Sequence, residues 1–201
     1  MTRPVSDMKR DADGKLIEFG EFPVLETKRL ILRKMALDDD EFYLKNFSDS
    51  TTVDLTGFEP PKDLDAAREE LREYCIDNFT NNTGIRWGVT VKGRPELIGT
   101  LGFYKWDKRN HSVEIGYDLL QEHRRRSIMK EAMTAMLDYL FGTMGLNRVY
   151  ALIDPRNAAS ANLLIGLGFT KEGEFRESTY FRGKYLSDVV FAVLAREWKG
   201  K

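Results

Sequence analysis

Apolar and polar positions along the first half of the chain predict a short strand followed by two charged helices. Residues 27–35 (TKRLILRKM) alternate as a strand does, and residues 38–47 open with acidic side chains that suit a helix N-terminus. From Leu64 to Phe79, apolar residues recur on one face of an otherwise charged segment, which is typical of an amphipathic helix. Cys75 lies on that face, so we interpret it as part of the core.

The middle of the chain predicts three neighbouring strands and one long helix. The strand-like segments are Ile85–Val91, Leu97–Tyr104 and Ser112–Leu119, and the short turns between them indicate antiparallel pairing. The clearest helix runs from Ile128 to Met144, where methionine and leucine recur at helical spacing until Gly145 ends it. Because methionine fills irregular gaps in cores, we interpret this stripe as packing rather than as a cofactor-binding feature.

The last part of the chain predicts a strand, a helix and a terminal hairpin. The strand is Arg148–Ile153, and the turn DPRN leads from it into a helix over residues 158–167 that Asn157 is placed to cap. The hairpin consists of residues 169–180 and residues 185–194, joined by FRGK.

This element order predicts an α/β (α+β) single domain with a mixed, mostly antiparallel twisted sheet. It would have about seven strands flanked by about four helices. Residues 1–20 lack periodicity, so we expect an N-terminal extension that is mobile unless it docks on a partner. The domain itself would then occupy residues 21–201.

Composition narrows the function classes. The 201 residues are 42% hydrophobic and 31% charged, as expected for one globular domain. One cysteine and two histidines without ligand spacing, His111 and His123, predict no metal site. The net charge of -1 makes nucleic-acid binding an unfavoured interpretation. A lone thiol, a polar N-terminus and no long apolar run predict a cytoplasmic protein without membrane attachment.

A basic run, QEHRRRSIMK at residues 121–130, falls between a predicted strand and a predicted helix. Unpaired N–H groups at a helix N-terminus bind phosphate well, and neighbouring arginines would assist. The run alone is equally explained as a solvated basic turn, and that interpretation remains open.

Three segments together carry a family resemblance: EIGYDLLQEHRRRSIMKEAM, the strand RVYALI, and DPRNAASANLLIGLGFTKEG. They resemble the GCN5-related N-acetyltransferase (GNAT) superfamily, most closely its RimJ/RimL-type ribosomal-protein N-terminal acetyltransferases, and the similarity extends from about Leu25 to Ala195. The resemblance implies a GNAT-like fold and an acetyl-CoA-dependent transfer of an acetyl group to an amine. In that family the acetyl-CoA pyrophosphate lies on a Gln/Arg-x-x-Gly-x-Gly/Ala loop between a bulged strand and a helix.

Carried over by position, the family loop is altered in this chain. Arg124 matches the Gln/Arg, Arg125 and Ser127 stand where glycine is frequent, and Met129 stands where glycine or alanine belongs. Glycine allows a positive φ and close approach to phosphate. The arginines either compensate by direct phosphate contacts, or the chain is a degenerate, non-catalytic CoA-binding or interaction module. The cofactor contacts implied here are Tyr117, Asp118, Leu119, Arg124, Arg125, Arg126, Ser127, Ile128 and Met129.

The second motif, NAASANLLIGLGF, retains the family's Asn-x-x-Ser and Leu-Gly-Phe spacing. The resemblance implies that Asn157 and Ser160 face the pantetheine arm of the cofactor. Asn157 is equally explained as a helix cap, and Ser160 as a residue of the first turn. The two roles are compatible, since helix N-termini commonly host ligand groups.

Glu114 is the candidate general base. On an alternating strand it shares a face with Gly116 and Asp118, and Gly116 suits a bulge that would splay this strand from residues 148–153. The exposed strand edge could then pair with the pantetheine amides. Glu114 could deprotonate an ammonium acceptor directly or through water. Its alternative is a solvent-facing or ion-paired carboxylate.

These assignments imply direct attack by the acceptor amine in a ternary complex. Cys75, the only thiol, lies on an apparent core face, and no Ser/His/Asp set with plausible neighbours can be drawn, so a covalent enzyme intermediate is not expected. Backbone N–H groups at residues 117–119 would polarise the thioester, and Ser160 would protonate the thiolate, because the family's tyrosine acid is missing after Asn157. The acceptor, a protein N-terminus or a small-molecule amine, would bind between the predicted loop at residues 48–62, which joins the first two helices, and the final hairpin. A homodimer is the default assembly.

Overall fold

The computed structural model describes residues 9–200, which contain one large sheet, one small hairpin and flanking helices. The strands are β1 (Lys9–Arg10), β2 (Leu16–Glu18), β3 (Leu25–Glu26), β4 (Leu30–Lys34), β5 (Ile85–Val91), β6 (Leu97–Asp107), β7 (Ser112–Leu119), β8 (Arg148–Ile153), β9 (Thr170–Phe181) and β10 (Lys184–Leu194). The helices are α1 (Asp40–Phe47), α2 (Ser50–Thr56), α3 (Leu64–Leu71), α4 (Asn78–Thr80), α5 (Ile128–Asp138) and α6 (Ala158–Gly166).

The large sheet has the strand order β3-β4-β5-β6-β7-β8-β10-β9. All neighbouring strands pair antiparallel except β7 and β8, which are parallel. This confirms the predicted mixed, mostly antiparallel sheet. The strand beyond the expected seven is β3, whose two residues are too few to show alternation.

The helices agree with the predicted segments and add one. The helix predicted from Leu64 is α3, a π-helical turn at Arg72–Asp77, and α4; the one predicted from Ile128 is α5 and a π-helical turn at Tyr139–Thr143. Within the segment predicted as a loop, α2 forms because the Asp49 side chain accepts a hydrogen bond from Thr52 N–H and Gly57 ends the helix at φ 69°. Its threonine-rich sequence has weak helix propensity and shows no amphipathic helical pattern.

Core packing confirms two predictions from the sequence. The methionine stripe of α5 is buried, with Met133 and Met136 fully enclosed against the sheet. Cys75 is buried in a second cluster beside Tyr43 and Leu71. Burial raises the pKa of the Cys75 thiol to about 12, so it is not a thiolate at neutral pH.

Residues 9–20 correct the predicted N-terminal extension. Leu16 and Phe19 are buried in the main core, and the Leu16 N–H donates to the Met144 carbonyl over 3.0 Å. The β1–β2 hairpin is too short to show periodicity, which is why the sequence did not reveal it. The packed domain therefore begins before Leu16 rather than at residue 21, while residues 1–8 of the predicted extension lie outside the described range.

Candidate active site

The central strands part where the site begins. Parallel pairing between β7 and β8 covers three residue pairs and ends at Glu114 opposite Tyr150. The remainder of β7 continues to Leu119 paired with β6 alone. A cleft of about 720 Å³ opens beside this free edge, between α2, the chain around the start of α5, and the start of α6.

The predicted bulge at Gly116 is wrong. Gly116 pairs in register with Gly102 of β6, and the irregularity lies instead in β6 between Tyr104 and Asp107. Gly116 is needed for space, because a Cβ there would lie 3.3 Å from the Arg86 guanidinium and from the Tyr104 ring. The strands separate without a bulge in β7.

The cleft collects most of the predicted cofactor residues. Those that line it are Tyr117, Asp118, Leu119, Arg124, Arg125, Ser127, Ile128, Met129, Asn157 and Ser160. Arg126 is not among them: its side chain is exposed, and its carbonyl accepts a hydrogen bond from Arg29 at 3.2 Å. The wall formed by α2, including Thr52 and Thr56, was not predicted, because the sequence indicates a loop in this segment.

The loop before α5 keeps a glycine-type backbone without glycine. Arg125 and Ser127 have φ values of 61° and 57°, in the left-handed region. An ordinary residue in that region costs roughly 1–2 kcal/mol. These are two positions at which the resemblance implies glycine, and both have the left-handed conformation that glycine adopts without cost. Met129, the third departure, is buried in the core.

The start of α5 is open to the cleft. Ser127 stands at the N-cap, but its side chain makes no capping hydrogen bond, which removes capping as its explanation. First-turn N–H groups without such a cap are available to an anion. Arg124 holds the preceding loop against the sheet, since its Nε donates to the Leu119 carbonyl over 2.9 Å.

At the start of α6, two hydroxyl groups meet. Asn157 is the predicted cap, with its side-chain oxygen accepting from the Ser160 N–H over 3.0 Å. The Ser160 hydroxyl lies 2.5 Å from the Tyr117 hydroxyl. Burial raises the pKa of Tyr117 to about 12, while the Ser160 hydrogen bond acts in the opposite direction. From the sequence only the backbone of Tyr117 is expected to act, because nothing in the sequence indicates that β7 and α6 are in contact.

Glu114 lies outside the cleft lining, at the last paired position before the strands part. Its side chain is 5% exposed, so a solvent-facing carboxylate is excluded. Oε1 accepts from the Tyr104 hydroxyl at 3.0 Å, and Oε2 accepts from the Lys105 ammonium at 2.9 Å. The carboxylate is therefore ion-paired, and its role as a base stays a prediction.

Asp118 reaches the cleft as part of β7, but its carboxylate is engaged elsewhere. It accepts a hydrogen bond from the buried Arg86, whose guanidinium also donates to Thr100 at 2.7 Å and 3.0 Å. The Asp118 backbone is paired with Thr100 of β6, so a ligand contact by Asp118 stays a prediction.

Residues 9–200 also bear on two other classes of site, a membrane span and a metal centre. No helix in this range is long and apolar enough to cross a membrane. No three histidine, cysteine or acidic side chains in the same range are grouped to hold a metal ion.

Known proteins resemble this chain over most of its length. An uncharacterized N-acetyltransferase, p20, of Bacillus licheniformis is 35% identical over 176 residues, covering 88% of this chain and 98% of p20. The [ribosomal protein uS5]-alanine N-acetyltransferase of Escherichia coli is 27% identical over 179 residues, covering 87% of this chain and 92% of the relative.

A solved structure shows the same fold. Spermidine N-acetyltransferase from Vibrio cholerae, in complex with CoA and spermine, superposes with a TM-score of 0.75 at 22% identity, covering 85% of this chain and 98% of that one. The family model described as an acetyltransferase (GNAT) domain matches residues 29–170. Since that match spans more than half of the sequence and takes in the parted strands, the loop and the start of α6, the chain belongs to the GNAT family and is an N-acetyltransferase.

Proposed function

We propose that this N-acetyltransferase moves the acetyl group of acetyl-CoA to a primary amine of a protein N-terminus or a small molecule, by direct attack in a ternary complex. The observation that carries the proposal is the separation of β7 from β8 after Glu114, next to a helix start without a side-chain cap. This combination supplies both a strand edge for an amide-containing arm and a phosphate site within one cleft.

The residues of the cleft fit acetyl-CoA as the co-substrate. Residues 115–119 of β7 form no pairs with β8. Their outer N–H and C=O groups, apart from the Leu119 carbonyl that accepts from Arg124, are therefore open to pairing with pantetheine amides. The first turn of α5 and the side chains of Arg124 and Arg125 would hold the pyrophosphate. Acetyl-CoA supplies the activated acetyl group, and no metal is part of the proposal.

On the acceptor side of the reaction, the amine must first lose a proton. A primary amine is largely protonated at neutral pH, and its ammonium form cannot attack a carbonyl. We propose that Glu114 takes this proton directly or through water, because it lies at the point where β7 and β8 part. Backbone N–H groups at residues 117–119 would polarise the thioester carbonyl as the nitrogen attacks.

The leaving-group side uses the two hydroxyl groups at the start of α6. Ser160 lines the cleft and is hydrogen-bonded to Tyr117, so Ser160 can pass a proton to the CoA thiolate while the Tyr117 hydroxyl replaces it. Tyr117 thus fills the place of the acid that is missing after Asn157. Cys75, buried and protonated, offers no covalent route.

The acceptor is proposed to enter between α2 and the β9–β10 hairpin. Arg182 of the hairpin pairs with Glu59 of the segment after α2 at 2.6 Å, so the two regions are in contact beside the cleft wall that α2 forms. Among the relatives, one is named for a ribosomal-protein alanine and one for spermidine, which favours primary amines of either size. The lone, buried thiol is compatible with our proposal that the protein works in the cytoplasm.

The test is a turnover screen with mass detection. Acetyl-CoA is offered with N-terminal peptides, lysine peptides, polyamines and small amines, and each product is checked for one added acetyl group. Acetyl-CoA at 100 times its dissociation constant should also stabilise the protein by about 2.7 kcal/mol. Binding without any acetylated product would favour the non-catalytic CoA-binding module; absence of binding would contradict the proposal.

A further inference from the structure

The candidate general base, Glu114, is ion-paired with a lysine of the chain itself, Lys105. The Lys105 ammonium lies 2.9 Å from Glu114 Oε2, and it lies 5.8 Å from the centre of the Tyr104 ring. Tyr150, the residue paired with Glu114 across β8, and Asp188 of β10 also act on its charge. A carboxylate combined with aromatic rings is a typical environment for binding an ammonium group.

Lys105 has an unfavourable backbone conformation, and this conformation directs its side chain toward Glu114. In a regular strand Lys105 would point to the face opposite its neighbour Tyr104. The irregularity in β6 and a φ of 50° turn it instead toward Glu114, on the same side as Tyr104. Bulges re-aim side chains in this manner, and a lysine held at positive φ is unfavourable unless the surroundings stabilise it.

The contact is exchangeable. The Lys105 side chain is 62% exposed, whereas Glu114 is nearly enclosed. Because the ammonium end of the pair is open to solvent, another ammonium group could approach the carboxylate and replace Lys105. The carboxylate would keep a cation throughout the exchange, which avoids leaving a buried charge unpaired.

We infer that Lys105 is an internal competitor of the acceptor ammonium: it fills the site formed by Glu114, Tyr104, Tyr150 and Asp188 until the acceptor amine displaces it. The identity of the competing ligand rests on the proposed function. Lys105 is thereby a specificity-determining residue, because only an amine that binds this site better than the tethered lysine reaches the base. The Glu114 carboxylate raises the pKa of the Lys105 ammonium, so the competitor stays charged at neutral pH.

Four forms of the protein test this inference: the parent, Lys105→Met, Lys105→Arg and Lys108→Met. Lys108 is a matched control, since it lies in the same turn region over the Trp106 ring at 4.7 Å and does not contact Glu114. We expect Lys105→Met to lower KM for the acceptor amine by about threefold or more, with kcat nearly unchanged. Lys105→Arg and Lys108→Met should match the parent. An unchanged or raised KM in Lys105→Met would overturn the inference.

A second readout does not depend on turnover. Lys105→Met should melt at a lower temperature than the parent because Glu114 loses its cation, and n-butylammonium chloride should raise its melting temperature more than it raises the parent's. Sodium chloride at equal ionic strength is the control. An equal response of parent and variant would overturn the inference. If no form acetylates any amine while n-butylammonium still stabilises Lys105→Met selectively, the proposed function fails and the ammonium site stands.

Discussion

At the scale of single residues, substitutions at Ser127 distinguish the effect of backbone strain on stability from the effect of helix capping. It has a φ of 57° and no capping hydrogen bond, so glycine should fit its backbone better than serine does. We expect Ser127→Gly to raise the free energy of unfolding by about 1 kcal/mol and to leave acetyl-CoA affinity equal or tighter. Ser127→Ala keeps the strain and lacks only the hydroxyl, so it should be neutral. Chemical denaturation measures both; a destabilised Ser127→Ala would mean that the hydroxyl matters after all.

Glu114→Gln tests the base at the same scale. The amide keeps the shape and can still accept from Tyr104, but it cannot take a proton. We expect kcat at neutral pH to fall about 10²-fold, with much of the loss recovered at high pH, where the acceptor is already a free amine. Glu172→Gln, at the exposed partner of Arg148, serves as the control for removing a carboxylate. A pH-rate profile decides it, since a loss of equal size at every pH would assign Glu114 to amine binding instead.

Tyr117 and Ser160 make a paired prediction. Tyr117→Phe and Ser160→Ala should each lower kcat by about 10-fold or more while the acetyl-CoA dissociation constant changes little, because protonation of the thiolate occurs only in the transition state. The double variant should lose no more than the worse single one, as expected for groups that act as a unit. Steady-state kinetics with calorimetric binding tests this, and unchanged turnover in Tyr117→Phe would leave the tyrosine a packing role.

At the scale of elements, the loop before α5 places two neighbouring arginines in different surroundings. Arg125 lines the cleft, whereas Arg126 is exposed outside its lining. Replacing Arg124, Arg125 and Arg126 together by alanine should raise the acetyl-CoA dissociation constant at least tenfold, about 1.4 kcal/mol. Arg125→Ala should account for part of this, and Arg126→Ala for little. Calorimetric titration measures each; equal losses from both single variants would indicate general charge attraction rather than a built site.

The elements also show what the sequence could and could not predict. Periodicity was sufficient for α5 and for the long strands, because many residues repeat one pattern. It failed for α2, where a cap and one glycine define the helix among threonines, and for β1–β2, where too few residues exist to repeat. In the candidate site, the family resemblance pointed to Asn157 and Ser160, but the contact between Ser160 and Tyr117 depends on how α6 packs against β7. Local pattern contains no information about that distance.

At the scale of the whole molecule, the N-terminal segment belongs to the fold. Leu16 and Phe19 are buried against the main core, so removing residues 1–20 should destabilise the protein by several kcal/mol. Removing residues 1–8 leaves both side chains and the β1–β2 hairpin in place and serves as the control. Thermal and chemical unfolding of the two truncated proteins measures the difference. Equal stability of the two would contradict the burial of this segment.

The glycine-free loop has a further consequence for the kinetics of cofactor binding. Glycine samples many backbone conformations when no ligand is present, whereas Arg125 and Ser127 adopt a left-handed φ only because the surrounding structure holds them there. Two anchors do so: Arg124 donates to the end of β7, and Arg29 donates to the Arg126 carbonyl. The entropy of ordering this loop is therefore lost when the chain folds, not when acetyl-CoA arrives. The loop at the proposed phosphate site is thus ordered in advance, and we expect acetyl-CoA to bind there without a conformational search by the loop.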